Sequence, residues 1–135
     1  MGNGPEMEFS APPDAHGHAG VLTPEDAFVA AVNTCVMMMF LWSAERFKLG
    51  LVSFECRAEG TKRIELDRTE VFSEIKLEPK IVIRADVADR DDALKRTRKA
   101  LQSAVKYSLV ANSIKSKLIV EPEIEIVTRG GETTV

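Results

Sequence analysis

Residues 23–50 read TPEDAFVAAVNTCVMMMFLWSAERFKLG, and most of the fold follows from this stretch. Thr23 is a favoured N-cap, Pro24 suits the first helical position, and the carboxylates of Glu25 and Asp26 suit the positive end of a helix dipole. Arg46 and Lys48 fall in a last turn and Gly50 is placed for a left-handed stop, so a helix is predicted from Thr23 to about Lys48. Between these ends Phe28, Val29, Val32, Val36, Met37, Met38, Met39, Phe40, Leu41 and Trp42 leave no polar stripe. One sheet covers only one side of such a helix. The other side needs a second cover, and in a chain of 135 residues a symmetry mate is the natural one, which predicts a homodimer.

Working outward, residues 1–22 hold glycines, prolines and both histidines without apolar periodicity and are expected to be a leader with little structure of its own. After Gly50, Val52, Phe54, Cys56 and Ala58 alternate with Ser53, Glu55 and Arg57, the pattern of a strand with one buried face, continuing past Gly60 to Ile64 and Leu66. Ile75, Leu77, Pro79, Ile81, Ile83, Ala85 and Val87 share one parity in a second long strand, in which Pro79 marks an edge or a bulge. From Asp89–Asp92 a second helix presents Leu94, Leu101, Ala104, Val105 and Ser108 on one face and Lys95, Arg96, Arg98 and Lys99 on the other. Leu118, Val120, Pro122, Ile124 and Ile126 alternate through a closing strand, which gives way to a polar tail over 129–135. The expected class is α+β: one domain over 23–128, with a long buried central helix and a second, amphipathic helix packed on an antiparallel sheet.

Composition narrows the functional classes. A chain of this length buries a single core without disulfides or metals. A net charge of −3 offers nothing to a polyanion, so no nucleic-acid partner is expected. The first basic residue is Arg46, no signal-type apolar region follows Met1, and the apolar run from Ala27 to Trp42 is short of the roughly 20 residues of a spanning helix, so a cytoplasmic protein without membrane partners is expected. Two cysteines in such a compartment are not a disulfide framework.

The chemistry-bearing residues are few. Cys35 sits in the middle of the long helix with Asn33 and Thr34 as the only polar interruption; spacing alone favours a small, inert buried hydrophobe, and a reactive thiol there needs a cation from another element. Cys56 lies on the apolar side of its strand and reads as packing. Counting back from the helix end and forward from the strand start, about 20 Å and about 17 Å, puts the two thiols at one level, though a bond between them needs Cα atoms within about 7 Å. His16 and His18 form a two-residue-spaced pair that reads as a solvated loop, and no metal site or cofactor motif is expected. Met37, Met38 and Met39 read as adaptable core filler or the wall of an apolar pocket.

The run from Thr23 to Cys35, with a Pro-Glu pair followed ten residues after the Glu by the Cys, resembles the long helix of the OsmC/Ohr family, the osmotically inducible and organic hydroperoxide resistance proteins. Ala104–Ser113 resembles the family segment that carries its second cysteine, and Glu121–Ile126 its last strand; the likeness spans about residues 20–127. It implies an intertwined dimer with the two long helices packed centrally, and a peroxiredoxin-like thiol cycle serving the oxidative stress response. Carried over by position, Cys35 is the peroxidatic thiol and Glu25 the carboxylate that orients an Arg beside it. Phe28, Met38, Met39 and Ser108 are expected around the substrate, an organic hydroperoxide. Within one helix Glu25 stands about 15 Å along the axis from Cys35 and about 80° around it, so it reaches the thiol only from an antiparallel partner helix. Two departures stand out. Ser108 occupies the position of the resolving Cys, and no Arg or Lys precedes Arg46. The resemblance therefore implies either a peroxidase recycled by an external thiol, with Cys56 as the less favoured resolving thiol, or, as the alternative, a non-catalytic member binding a small apolar ligand at the dimer interface.

Overall fold

The computed structural model describes residues 4–128 and 133–134. Helix α1 (Pro24–Arg46) leads into a long hairpin of β1 (Gly50–Ile64) and β2 (Glu70–Arg84); helix α2 (Arg90–Tyr107) and the short α3 (Leu109–Asn112) follow, then strands β3 (Lys117–Val120), β4 (Glu123–Val127) and β5 (Thr133–Thr134). The class is α+β, as the periodicities predict. The sheet is mixed rather than purely antiparallel: β1 and β2 pair antiparallel, whereas β3 and β4 both run parallel to β2 along its other edge. The reversal follows from α2, which carries the chain back across the sheet between β2 and the closing strand. Most of the 129–135 tail lies outside the described residues; Thr133 and Thr134 pair with Val127 and Ile126.

Pro79 is the clearest departure from the sequence reading. It is buried in β2, the central strand, and not at an edge. The ladder accommodates it because β3 pairs with Glu74–Leu77 and β4 with Lys80–Arg84, so Pro79 faces the break around Pro122, where no N–H is required of it. Val52 is likewise not in the buried set. It is skipped in the register between Leu51 and Ser53 and left exposed at a bulge, so the inward parity restarts at Phe54, Cys56 and Ala58. Leu66 lies in the hairpin turn, fully exposed, and β2 ends before Ala85 and Val87.

A side chain caps the start of α1 and a backbone closure ends it. Thr23 Oγ1 accepts from the Asp26 amide at 3.1 Å. At the other end the amides of Lys48 and Leu49 donate to Glu45 O and Ala44 O at 3.1 and 2.9 Å, a Schellman closure whose left-handed residue is Lys48 (φ 54) and not Gly50. Gly50 serves another purpose, since a Cβ there would meet the Arg84 carbonyl oxygen at 2.5 Å. Arg96 of α2 secures the stop: its Nη1 donates to Phe47 O at 2.7 Å while its Nε holds Asp92 Oδ2 at 2.8 Å.

The core joins Val32, Val36, Phe40 and Ala44 of α1 to Ile75, Leu77, Ile81 and Ile83 of β2 and to the small face of α2, Ala93, Thr97, Ala100 and Ala104. Those small side chains let the two helices approach closely; the sequence reading, drawn to Leu94, Leu101 and Val105, placed only Ala104 of them. The long helix is therefore buried along one face within the chain, not all round. Its opposite face stays open, with Met38 60% and Trp42 51% exposed beside Leu41. By length and composition α1 would also suffice to cross a bilayer, but its inner face belongs to this core. The leader is more ordered than its composition suggests: a 3₁₀ turn at Pro13–Ala15, Gly17 N to Pro12 O at 2.9 Å, and Ser10 Oγ accepting from His18 N at 2.8 Å fold it back toward the start of α1.

Candidate functional site

The two thiols sit on either side of one polar tie. Asn33, two residues before the middle of α1, donates its Nδ2 to the Cys56 carbonyl at 3.1 Å, which brings α1 and β1 into step at the level of both cysteines. Both thiols are free and partly buried. Thr34 beside them turns its hydroxyl back on its own helix, to Ala30 O at 2.7 Å.

Cys56 points toward the helices, opposite the buried Pro79, and packs against the core. Burial, with a smaller push from the Glu78 carboxylate, raises its thiol from 9.0 to about 11, partly offset by a backbone hydrogen bond at Glu78. Such a group stays protonated at neutral pH and is a poor nucleophile. Cys35 lies one residue from the buried Val36, on the flank of α1 between the core face and the open face that carries Met38 and Trp42.

Glu25 lies on the wall of a cavity of about 700 Å³ between the first turns of α1, the middle of the hairpin and the leader turn. Asn33, Val29, Phe72 and Lys62 share that wall, and Pro12–Asp14 cover it. Asn33 Oδ1 is buried without a partner, since the opposite end of its amide is committed to Cys56. Phe72 carries Phe28 stacked on it at 5.2 Å between centroids, though Phe28 itself does not line the cavity. Met38 stands on the open face of α1, and Met39 packs against the core. Ser108 is fully buried, and its Oγ accepts from the Ala111 amide at 3.3 Å, capping α3. Within one chain, then, Glu25 and Asn33 share a cavity that Cys35, Met38, Met39 and Ser108 do not line.

Two features of this site escaped the sequence reading. The leader contributes a wall, for which proline-rich composition gave no signal. Asn33 ties the elements together, and its polarity within an apolar run was the available clue. His16 takes a left-handed turn (φ 66), and the described residues contain no group of three or more His, Cys, Asp or Glu side chains placed to hold a metal ion.

A long thiol-bearing helix laid with a second helix on a mixed sheet defines a small class of α+β proteins, and comparison with known proteins places the chain within it. The family model for OsmC-like proteins matches residues 17–123, and the chain belongs to this family. An OsmC-like structure from Vibrio cholerae is 23% identical, covering 83% of this chain and 71% of that one with a TM-score of 0.72. An organic hydroperoxide resistance protein OsmC from Legionella pneumophila is 15% identical, covering 87% and 80% with a TM-score of 0.58. An organic hydroperoxide resistance protein from Elizabethkingia anophelis is 12% identical, covering 84% and 76% with a TM-score of 0.59. At these identities the likeness is one of fold. No curated protein matches the chain significantly.

Proposed function

We propose that the protein is a cytoplasmic homodimeric thiol peroxidase that reduces organic hydroperoxides through Cys35. The observation that carries this reading is the placement of Glu25, ten residues before Cys35, on the wall of a cavity that its own thiol does not line, while the open face of α1 is apolar. Two α1 helices packed antiparallel through that face bring the Glu25 cavity of one protomer toward Cys35 of the other. Phe28, Met38 and Met39 then supply apolar surface for the organic part of the substrate.

In this cycle the Cys35 thiolate attacks the outer peroxide oxygen, the O–O bond breaks, and the alkoxide leaves as an alcohol after taking a proton. The sulfenic acid left on Cys35 condenses with an external thiol, releasing water and forming a mixed disulfide; a second external thiol restores Cys35 and carries away the disulfide. Cys56 is unsuited to resolving the sulfenic acid because its thiol stays protonated. Ser108 has no thiol to offer. No cofactor enters the cycle.

The test is consumption of cumene hydroperoxide by the reduced protein with a small dithiol as reductant. Turnover that vanishes in Cys35→Ser and persists in Cys56→Ser supports the reading; equal consumption by wild type and Cys35→Ser overturns it. A second reading, a non-catalytic member holding a small apolar ligand between the protomers, draws on the same exposed face around Met38 and Trp42 and on the lack of any Arg or Lys before Arg46. It predicts cavity occupancy that is indifferent to Cys35→Ser.

A further inference from the structure

The chain is acidic overall, yet residues 90–117 carry eight basic and two acidic side chains, against ten basic and nineteen acidic in the remainder. That surplus lies along α2 and the approach to β3. Arg96 is occupied at the end of α1, but among the described residues no carboxylate holds Lys95, Arg98, Lys99 or Lys106. Lys106 only overlies the ring of its neighbour Tyr107, 5.3 Å from the centroid.

Beneath these cations lies apolar surface. Where Pro122 interrupts the closing strand, α2 does not seat fully on the sheet, and a furrow of about 450 Å³ opens over Leu101, Val105, Val120 and Pro122, rimmed by Arg98, Gln102 and Lys106. Arg98 and Gln102 also border a second hollow on α2, lined by Asp91, Leu94, Lys95 and Lys99. It shares no residue with the Glu25 cavity. Its size falls in the range of small-molecule sites, and an apolar floor with an unpaired cationic rim selects one ligand chemistry.

We propose that this furrow binds a single-chain amphiphilic anion, its aliphatic chain along Leu101, Val105, Val120 and Pro122 and its head group between Arg98 and Lys106. A neutral chain of equal length gains only the floor, and a small anion only the rim. The site is independent of the thiol chemistry, and its occupant is a free molecule because the floor is recessed, with Leu101 only 5% exposed, where a bilayer surface would need apolar side chains standing out from the fold.

The experiment is a titration of the ¹⁵N-labelled full chain, followed by amide shifts, with sodium decanoate below its micelle concentration and with 1-decanol in parallel. Saturable decanoate shifts centred on Arg98, Leu101, Val105 and Val120 are expected, with 1-decanol at least tenfold weaker. The double variant Arg98→Glu/Lys106→Glu should lose at least tenfold in decanoate affinity, and Gln102→Trp, which keeps both charges and fills the furrow, should lose it too. Equal binding of 1-decanol, shifts centred on Met38 and Trp42, unchanged affinity in both variants, or association with anionic lipid vesicles but not with monomeric decanoate would each overturn the proposal.

Discussion

Asn33 does more at the residue scale than its place in an apolar run suggests. Its amide ties α1 to the Cys56 carbonyl and leaves Oδ1 buried without a partner, while the residue lines the Glu25 cavity. Replacing it by Ala removes this donor from the Cys56 carbonyl, and we expect a loss of about 1–3 kcal/mol in chemical denaturation. Cys56 yields a pH prediction. Its thiol is raised in the folded chain, so the contribution of its protonated form is complete below about pH 9 and is lost as pH climbs through about 11. Thermal melts across that window should show wild type losing more stability than Cys56→Ala. Alkylation of Cys56 should be slow near pH 8 and accelerate toward pH 11. The sequence already placed Cys56 on the apolar side of a strand; what it lacked was the partner strand, and so the burial that decides the thiol's ionisation.

At the element scale, the long helix, the two long strands and the amphipathic helix were all legible, because each has a strong period and α1 has clear end signals. The failures were local and share a cause. Gly50 reads as a helix stop because glycine favours the left-handed region, but Lys48 takes that conformation and Gly50 answers to the Arg84 carbonyl across the hairpin. Pro79 reads as an edge because proline lacks an N–H, but the interruption at Pro122 removes the need for one. Each is decided by a residue more than thirty positions away, which periodicity does not encode. Lys48 carries the cost of a left-handed conformation, so Lys48→Gly should stabilise the protein by about 1 kcal/mol, measured as a raised denaturation midpoint with unchanged slope. Arg96→Ala, which strips the α1 stop of its donor, should destabilise it by about 1–3 kcal/mol in the same measurement.

For the molecule as a whole, the sequence argument for a partner rested on a helix without a polar stripe. The fold sharpens it: one face of α1 is consumed by the core, and the other presents Met38, Leu41 and Trp42 to solvent within the chain. Sedimentation should give a dimer of the 14.9 kDa chain, and Met38→Glu/Trp42→Glu should sediment as a folded monomer. The same variant should lose hydroperoxide turnover while keeping Cys35, because Glu25 and the thiol then belong to separate particles. The sequence reading already implied such sharing, because Glu25 and Cys35 stand too far apart along one helix to meet.

The central claim is that Cys35 is a peroxidatic thiol, and its most direct test is the rate at which reduced protein forms a Cys35 sulfenic acid, followed by mass spectrometry with cumene hydroperoxide and with hydrogen peroxide. The account predicts fast oxidation confined to Cys35, faster with the organic peroxide and unchanged in Cys56→Ser. Oxidation of Cys35 at the slow rate of an ordinary thiol, without preference between the two peroxides, would contradict it.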